Sequence, residues 1–252
     1  MRVDGEPVYI LHQRPYRETS NLVELFSLNH GRIAAVARGA RRQSKKGSNP
    51  LLPFQSYIAS WSGRGELMTI TQLEPGAGII TLQGGRLYCA LYINELLMRL
   101  LHHHDPHENL FRKYGDILRQ LGTVDDIQLP LRLFECELLT ELGYGMVLDH
   151  DIQDNSDIET GVAYDYIIDA GPRRLGSAAA SGIVIQGECL LALANGNPVS
   201  GMQNQIRSLM RAAIDARLDG RPLHSRQMMQ RLKKNQQLLD KSAMEPKGQQ
   251  ES

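Results

Sequence analysis

The 252-residue chain changes its hydrophobic period once. Up to about residue 75 apolar side chains recur at every second position; from residue 84 they recur at i, i+3 and i+4. The first period belongs to half-buried strands and the second to amphipathic helices. The chain is therefore expected to be α+β, a small β-barrel followed by a mostly α-helical domain. Val8, Ile10 and His12 alternate with Tyr9, Leu11 and Gln13; Leu22–Phe26 makes a second run. Arg32–Arg38 makes a third after the turn signal Asn29-His30-Gly31. Phe54–Trp61 and Leu67–Leu73 follow, divided by the turn Ser62-Gly63-Arg64-Gly65. Five short antiparallel strands suit an OB-like barrel, with an SH3-like barrel as the rival that periodicity leaves open.

One connection departs from this pattern. Gly39 to Pro53 is fifteen residues without a periodic signal, and connections of that length usually carry function or are disordered. Arg38, Arg41, Arg42, Lys45 and Lys46 place five cations in nine residues with no acid among them. Such a loop can neutralise nucleic-acid phosphates and release counterions; a solvated loop without a partner is the plainer alternative. Single-strand binders add aromatic faces for the bases, and Tyr16 and Tyr57 are the candidates here. Phe54 and the lone Trp61 read as core.

Beyond residue 84, Ile93, Leu96, Leu97, Leu100 and Leu101 predict a helix ending near His104, ahead of Pro106. Leu110, Tyr114, Leu118 and Leu121 predict a second, stopped by Gly122. Leu131, Phe134, Leu138 and Leu142 predict a third, stopped by Gly143. Ile206, Leu209, Met210, Ala213 and Ile214 mark another, and Ser225 is the expected N-cap of a last basic helix. Between Asp149 and Gly201 the signal is poor, apart from a strand near Tyr164–Ile168 and a turn or short helix at Ala178–Ala180. The expected division is 1–80 for a nucleic-acid-binding OB barrel and 81–241 for a helical domain with an irregular acidic segment at 149–200. A disordered tail is expected at 242–252.

Charge is balanced overall, with Lys plus Arg and Asp plus Glu both at 28, but not locally. Residues 1–80 hold ten basic and six acidic residues, 125–169 one and twelve, and 202–247 ten and four. Basic ends around an acidic middle suit separate partners for separate parts. No run of ~18 apolar residues could make a membrane-spanning helix. The first residues lack an apolar signal core, and Cys89, Cys136 and Cys189 are too far apart for a metal or disulfide framework. The expected setting is cytoplasmic and reduced, with no membrane partner.

Catalytic motifs are absent: no P-loop, no G-x-S-x-G and no H-E-x-x-H. No catalytic residue and no cofactor are expected. Asp149, Asp151, Asp154, Asp157 and Glu159 have spacing that can hold a divalent cation, but without the glycine and terminal glutamate of an EF-hand they read as a solvated acidic loop. His102, His103, His104 and His107 could bind zinc, yet adjacent imidazoles project around a helix rather than toward one point.

A family resemblance rests on Arg14-Pro15-Tyr16-Arg17-Glu18-Thr19-Ser20, Phe26, His30-Gly31-Arg32 and Ala37-Arg38-Gly39-Ala40-Arg41-Arg42. It continues through Leu52-Pro53-Phe54, Gly63-Arg64-Gly65-Glu66-Leu67, Glu141-Leu142-Gly143-Tyr144 and Gly220-Arg221-Pro222-Leu223-His224-Ser225-Arg226. In this order, over nearly the whole chain, these segments resemble the RecO family of recombination mediators. The resemblance implies an N-terminal OB-fold and a larger helical domain. It implies binding of single- and double-stranded DNA, annealing of complementary strands, and no nucleotide hydrolysis. It also implies work with RecR, and in some members RecF, to load RecA onto DNA coated by single-strand DNA-binding protein, whose acidic C-terminal tail the helical domain contacts. Many members carry a four-cysteine zinc site after the Leu-Gly-Tyr segment. Here Leu148-Asp149-His150-Asp151 and Gly171-Pro172-Arg173-Arg174 stand near the expected cysteine pairs, so no zinc is expected.

The expected mechanism is binding. Arg32, Arg38, Arg41, Arg42, Lys45 and Lys46 would neutralise phosphates, with Arg14 and Arg64 at the edges and Tyr16 or Tyr57 stacking on bases. Arg226, Arg231, Lys233 and Lys234 could extend the path. For an acidic protein tail the nominated cations are Arg132, Arg119 and Arg112; pairing of Arg132 with Glu135 on its own helix is the plainer reading. Two other classes stay open, an OB-type RNA-binding factor and a metal-dependent nuclease using the aspartate cluster. The protein is expected to be nucleoid-associated.

Overall fold

The computed structural model describes residues 1–40, 51–76, 80–177, 179–197 and 201–231. Its first five strands are β1 (Arg2–Tyr16), β2 (Ser20–Ser27), β3 (Gly31–Ala37), β4 (Ser56–Ser62) and β5 (Leu67–Pro75). They close a barrel in the order β1-β2-β3-β5-β4, with β4 pairing back onto β1. β3 and β5 run parallel, whereas the other neighbours are antiparallel. That order and the one parallel contact are those of an OB barrel and remove the SH3-like alternative.

β1 begins six residues before the predicted alternation because it serves two neighbours. Arg2 pairs with Ser62 of β4 at one end, and Tyr16 with Ser20 of β2 at the other. Register shifts between Val3 and Glu6 and between Ile10 and His12 bend it from one to the other. Val8, Ile10, Val23, Leu25, Ile33, Tyr57 and Trp61 fill the barrel. The opposite face of β1 is buried too. Tyr9 and Leu11 join Phe26 and Phe54 in a second core with the helices.

Those helices are α1 (Gly84–Leu100), α2 (Glu108–Thr123) and α3 (Gln128–Glu141). Rings of Tyr9 and Phe26 meet Phe111 and Tyr114 at centroid distances of 4.9 to 6.2 Å. The buried Asn94 of α1 donates to the Leu11 carbonyl at 2.8 Å and accepts from the Tyr114 hydroxyl at 2.6 Å. The contact between barrel and helices is thus a packed core in which the buried Asn94 and Tyr114 satisfy their polar groups.

α1 stops at Leu100 rather than near His104, because Leu101 is already extended. The following segment runs onto the barrel, where the His104 N–H donates to the Arg32 carbonyl at 3.0 Å. Gly31 admits that approach: it has φ +65°, and a Cβ there would lie 2.0 Å from the Asp105 carbonyl oxygen. α2 passes through Gly122 and ends at Thr123, whose hydroxyl donates to the Arg119 carbonyl at 3.1 Å. α3 ends as predicted, with Gly143 just past its end at φ +82°.

The described part of the stretch expected to be irregular holds three strands and a helix. β6 (Ala163–Ile167), β7 (Gly171–Arg174) and β8 (Ile183–Gln186) form a sheet in the order β7-β6-β8. α4 (Gly187–Asn195) and α5 (Gln203–Asp215) pack on it around Tyr164, Tyr166, Ile185, Leu190, Leu209 and Met210. A last helical stretch starts at residue 224. Ser225 is not its side-chain cap. Glu95 of α1 accepts from the His224 and Ser225 backbone N–H groups at 2.9 and 2.8 Å, and from the Ser225 hydroxyl at 2.6 Å.

Candidate nucleic-acid interface

The turn from β1 to β2 lies beside the end of β3, since Asn21 pairs with Ala37. The start of β5 flanks β3 on its other side, with Val36 opposite Thr69. Together they frame a cleft of about 540 Å³ edged by Tyr16, Arg17, Thr19, Arg38, Leu67 and Thr69. Tyr16 is half-buried, and the Arg17 guanidinium lies 5.2 Å from its ring centroid. Arg38 is exposed at the point where the chain leaves β3. Arg14 and Arg64 are also exposed. Among the described residues Arg14, Arg38 and Arg64 have no acidic partner. Arg41, Arg42, Lys45 and Lys46 lie outside the described residues, as do Lys233 and Lys234.

Two nominated side chains face elsewhere. Tyr57 and Trp61 do share a face, but it is the barrel interior, where they are 4% and 0% exposed. The Tyr57 hydroxyl donates to the Leu52 carbonyl at 3.1 Å and accepts from the Leu52 N–H at 2.7 Å. Its ring is core and offers no face to a base. Arg32 turns into the contact between barrel and helices. It donates to the Met98 carbonyl and lies 3.8 Å from Glu24, which His103 also contacts at 3.1 Å. Burial lowers the Arg32 pKa, with Glu24 opposing. A guanidinium so placed is engaged in holding the barrel against the helices.

The partner-binding nominees are all paired on their own helices. Arg132 reaches both oxygens of Glu135 at 2.7 Å, and Glu135, fully buried, also accepts from the Tyr92 hydroxyl at 2.7 Å. Burial raises the Glu135 pKa, and the Arg132 charge opposes it. Arg112 holds Glu108 at 3.2 Å and Arg119 holds Asp116. Between α2, α3 and α4 runs a groove of about 450 Å³ lined by Ile117, Pro130, Leu133 and Phe134, with Lys113, Asp116 and Glu137 as its charged residues.

The acidic segment is built inward. Asp151, 1% exposed, accepts from the Gln153 N–H at 2.8 Å and the Arg174 N–H at 2.6 Å, tying its loop to β7. Asp165 accepts from the Ser181 and Gly182 N–H groups at 2.9 and 2.7 Å and from Arg173 at 2.8 Å. The Ser181 N–H, then Arg173 and Gly182, hold its carboxyl down to about 2 against the opposing effect of burial. Among the described residues no three His, Cys, Asp or Glu side chains are grouped to hold a metal ion. His107 lies 3.4 Å from Asp105 and 3.5 Å from Glu141. Burial pushes the Cys136 thiol up to about 12, far from a reactive thiolate.

Sequence reasoning missed Arg17, Thr19 and Thr69 as parts of the cleft. Only the turn residues 17–19 carried a local signal; Thr69 arrives through the parallel pairing of β3 with β5.

Fold and cleft together define a class: an OB barrel with a cationic, aromatic-edged mouth, joined through a shared apolar core to a helical domain. The chain belongs to the RecO family of DNA repair and recombination proteins. The family models for the Recombination protein O N terminal and C terminal match residues 1–78 and 82–227. DNA repair protein RecO of Azoarcus sp. (strain BH72) is 42% identical over 235 residues, covering 92% of this chain and 97% of that one. DNA repair protein RecO of Nitrosococcus oceani is 42% identical over 237 residues, covering 93% and 96%. That of Nitrosospira multiformis is 41% identical over 241 residues, covering 94% and 98%. Among the described residues no helix is long and apolar enough to cross a membrane.

Proposed function

We propose that the chain is a DNA-binding recombination mediator that acts by holding strands, without bond chemistry of its own. The observation that carries this reading is the open mouth of the barrel, where Tyr16 and Arg38 edge one cleft and Arg14 and Arg64 stand exposed without acidic partners among the described residues. Residues 1–80 would be the strand-binding unit, with Arg41, Arg42, Lys45 and Lys46 continuing the path from Arg38. Cations on two strands reduce their mutual repulsion, which favours annealing. About six phosphate contacts correspond to a slope near −4 in log K against log salt for single strands. Membership of the family supports RecR, and RecF and RecA in turn, as partners in a cytoplasmic, nucleoid-associated setting. Family membership likewise supports the acidic, apolar tail of single-strand DNA-binding protein as a partner of the helical domain; Arg132 is already held by Glu135, and the groove beside Lys113 also carries Asp116 and Glu137.

The test is annealing of complementary oligonucleotides coated with single-strand DNA-binding protein, without ATP and with magnesium. Faster duplex formation with intact strands supports the reading. No acceleration overturns it, and shortened strands would instead indicate a nuclease.

A further inference from the structure

A second cationic cleft lies on the helical domain, at the chain reversal between α5 and the helical stretch that starts at residue 224. Gly220, at φ +72°, turns the chain, and the Arg221 N–H closes the turn on the Leu218 carbonyl at 2.9 Å. The cleft encloses about 270 Å³ and is lined by Arg211, Asp215, Arg221, Arg226, Gln227 and Gln230. Three guanidiniums therefore face one carboxylate, leaving a formal charge of +2 on the lining.

The guanidiniums are arranged rather than scattered. Asp215 takes Arg226 directly and lies 3.7 Å from Arg211. Arg226 is fixed from behind as well: it donates to the Tyr92 hydroxyl at 3.2 Å, and its guanidinium carbon is 5.4 Å from that ring. Tyr92 is in turn held by the buried Glu135. Arg221 is exposed and has no acidic partner among the described residues. Fixed guanidiniums lose little freedom when they bind an oxyanion, and their forked donors match one. The Gln227 and Gln230 amides add neutral donors at the same rim. The cleft is smaller than the ~300 Å³ at which sites for drug-sized ligands begin, so it suits a small anionic group.

We propose that this cleft is a phosphate-binding site on the helical domain, with the unpaired Arg221 as its leading cation and Arg226 and Arg211, which share the one carboxylate of Asp215, adding the remaining positive charge. The phosphate comes either from a nucleic-acid backbone or from a free phosphate anion. The backbone source rests on the DNA-binding reading above and would give a second strand its own hold, apart from the barrel mouth.

The experiment uses the full chain and the variant Arg221→Glu. Inorganic phosphate is titrated at constant ionic strength while the arginine side-chain NMR signals are followed, and a short oligothymidine is then added. Saturable shifts in the wild type, weakened at least threefold in Arg221→Glu at unchanged melting temperature, support the site. Reversal of those shifts by the oligonucleotide, with a salt slope for strand binding shallower by about 0.7 in the variant, assigns the phosphate to a strand backbone. Persistence of the shifts, with equal strand binding by both proteins, assigns it to a free anion. No saturable shift in the wild type and identical strand binding by both proteins overturn the proposal. A wild type that binds no strand would count against the DNA-binding reading alone, because the phosphate titration still reads this cleft.

Discussion

The arginines of the barrel mouth and most of those of the helical domain, Arg221 excepted, are the same residue type in opposite situations. Arg14, Arg38 and Arg64 are exposed and unpaired among the described residues. Arg112, Arg119, Arg132, Arg173, Arg174, Arg217 and Arg226 each hold a carboxylate. A cation that already faces an acid contributes to the fold, and a second anion must compete for it. An unpaired cation gives up only water and a counterion when a phosphate arrives. Local charge sums miss this distinction: residues 125–169 look like an acidic surface, yet Glu135, Asp151 and Asp165 are buried and bonded.

The strongest way to break the comparison is at Glu135. Replacing it by Ala leaves Arg132 with its charge but no partner and removes the acceptor of the Tyr92 hydroxyl. Breaking such a buried pair should cost about 3–5 kcal/mol of stability. Thermal and urea melts read that loss. Strand binding at the barrel mouth should not change per folded molecule, because the mouth contains none of these groups; any loss of strand affinity would come through Tyr92 and the Arg226 it fixes. A variant as stable as the wild type would show that pairing in the helical domain has no structural weight.

Asp165 gives the next effect and a pH signature. Its hydrogen bonds favour the ionised form, so its folded pKa of about 2 lies below the ordinary 3.8. The stabilisation is complete above the unfolded value and is lost as pH falls through 3.8 toward 2. Asp165→Asn should cost about 2 kcal/mol at neutral pH, the range for hydrogen bonds to a charged group. The melting-temperature gap between variant and wild type should close as the medium is acidified over that window. A gap independent of pH would remove the carboxylate's charge from the explanation. Treatment with a chelator should leave both melting temperatures unchanged, because protein donors satisfy this carboxylate.

How much of this was legible in the chain can be argued from a few residues. Alternation of Val8, Ile10 and His12 showed a strand, but not that Tyr9 and Leu11 are buried as well, because the helices covering them come from 80 or more positions away. Tyr57 and Trp61, four residues apart on one strand, share a face by simple alternation; which face lines the barrel depends on closure of β4 against β1. The sheet β6–β8 was mostly missed because strands of four or five residues show too few alternations to register a period. α4 hid for the opposite reason. Its run Cys189-Leu190-Leu191-Ala192-Leu193 is apolar without a polar face, which periodicity cannot tell from a buried strand. At the candidate site the exposed cations on turns were readable. The fate of Arg32 was not, since it depends on Glu24, Met98 and His103, which only the fold brings together.

Within the barrel mouth, Tyr16 and the arginines should separate. Tyr16→Ala removes a stacking face, an effect of about 1–3 kcal/mol per base in single-strand binders. The lower end is expected here because Arg17 already lies over that ring. Anisotropy with oligothymidine should show several-fold weaker binding with an unchanged salt slope, since no phosphate contact is lost. A changed slope would mean that Tyr16 acts by placing Arg17 or Arg38 on the backbone.

Arg64 gives the smallest effect and the finest test of the comparison. It stands on the turn between β4 and β5, exposed and outside the cleft edged by Tyr16 and Arg38. Arg64→Ala should leave stability within about 0.5 kcal/mol of the wild type, as an exposed side chain without a structural partner does. If the strand path passes that turn, the salt slope should become shallower by about 0.7, one phosphate's share for a single strand. Adding Arg38→Ala should lower the slope by the same amount again, because neutralisations at separate phosphates add. Equal slopes for Arg64→Ala and wild type, beside a reduced slope for Arg38→Ala alone, would confine the path to the cleft side of the barrel. An unpaired cation would then be necessary for strand binding without being sufficient, and position relative to the cleft would decide which of them touch DNA.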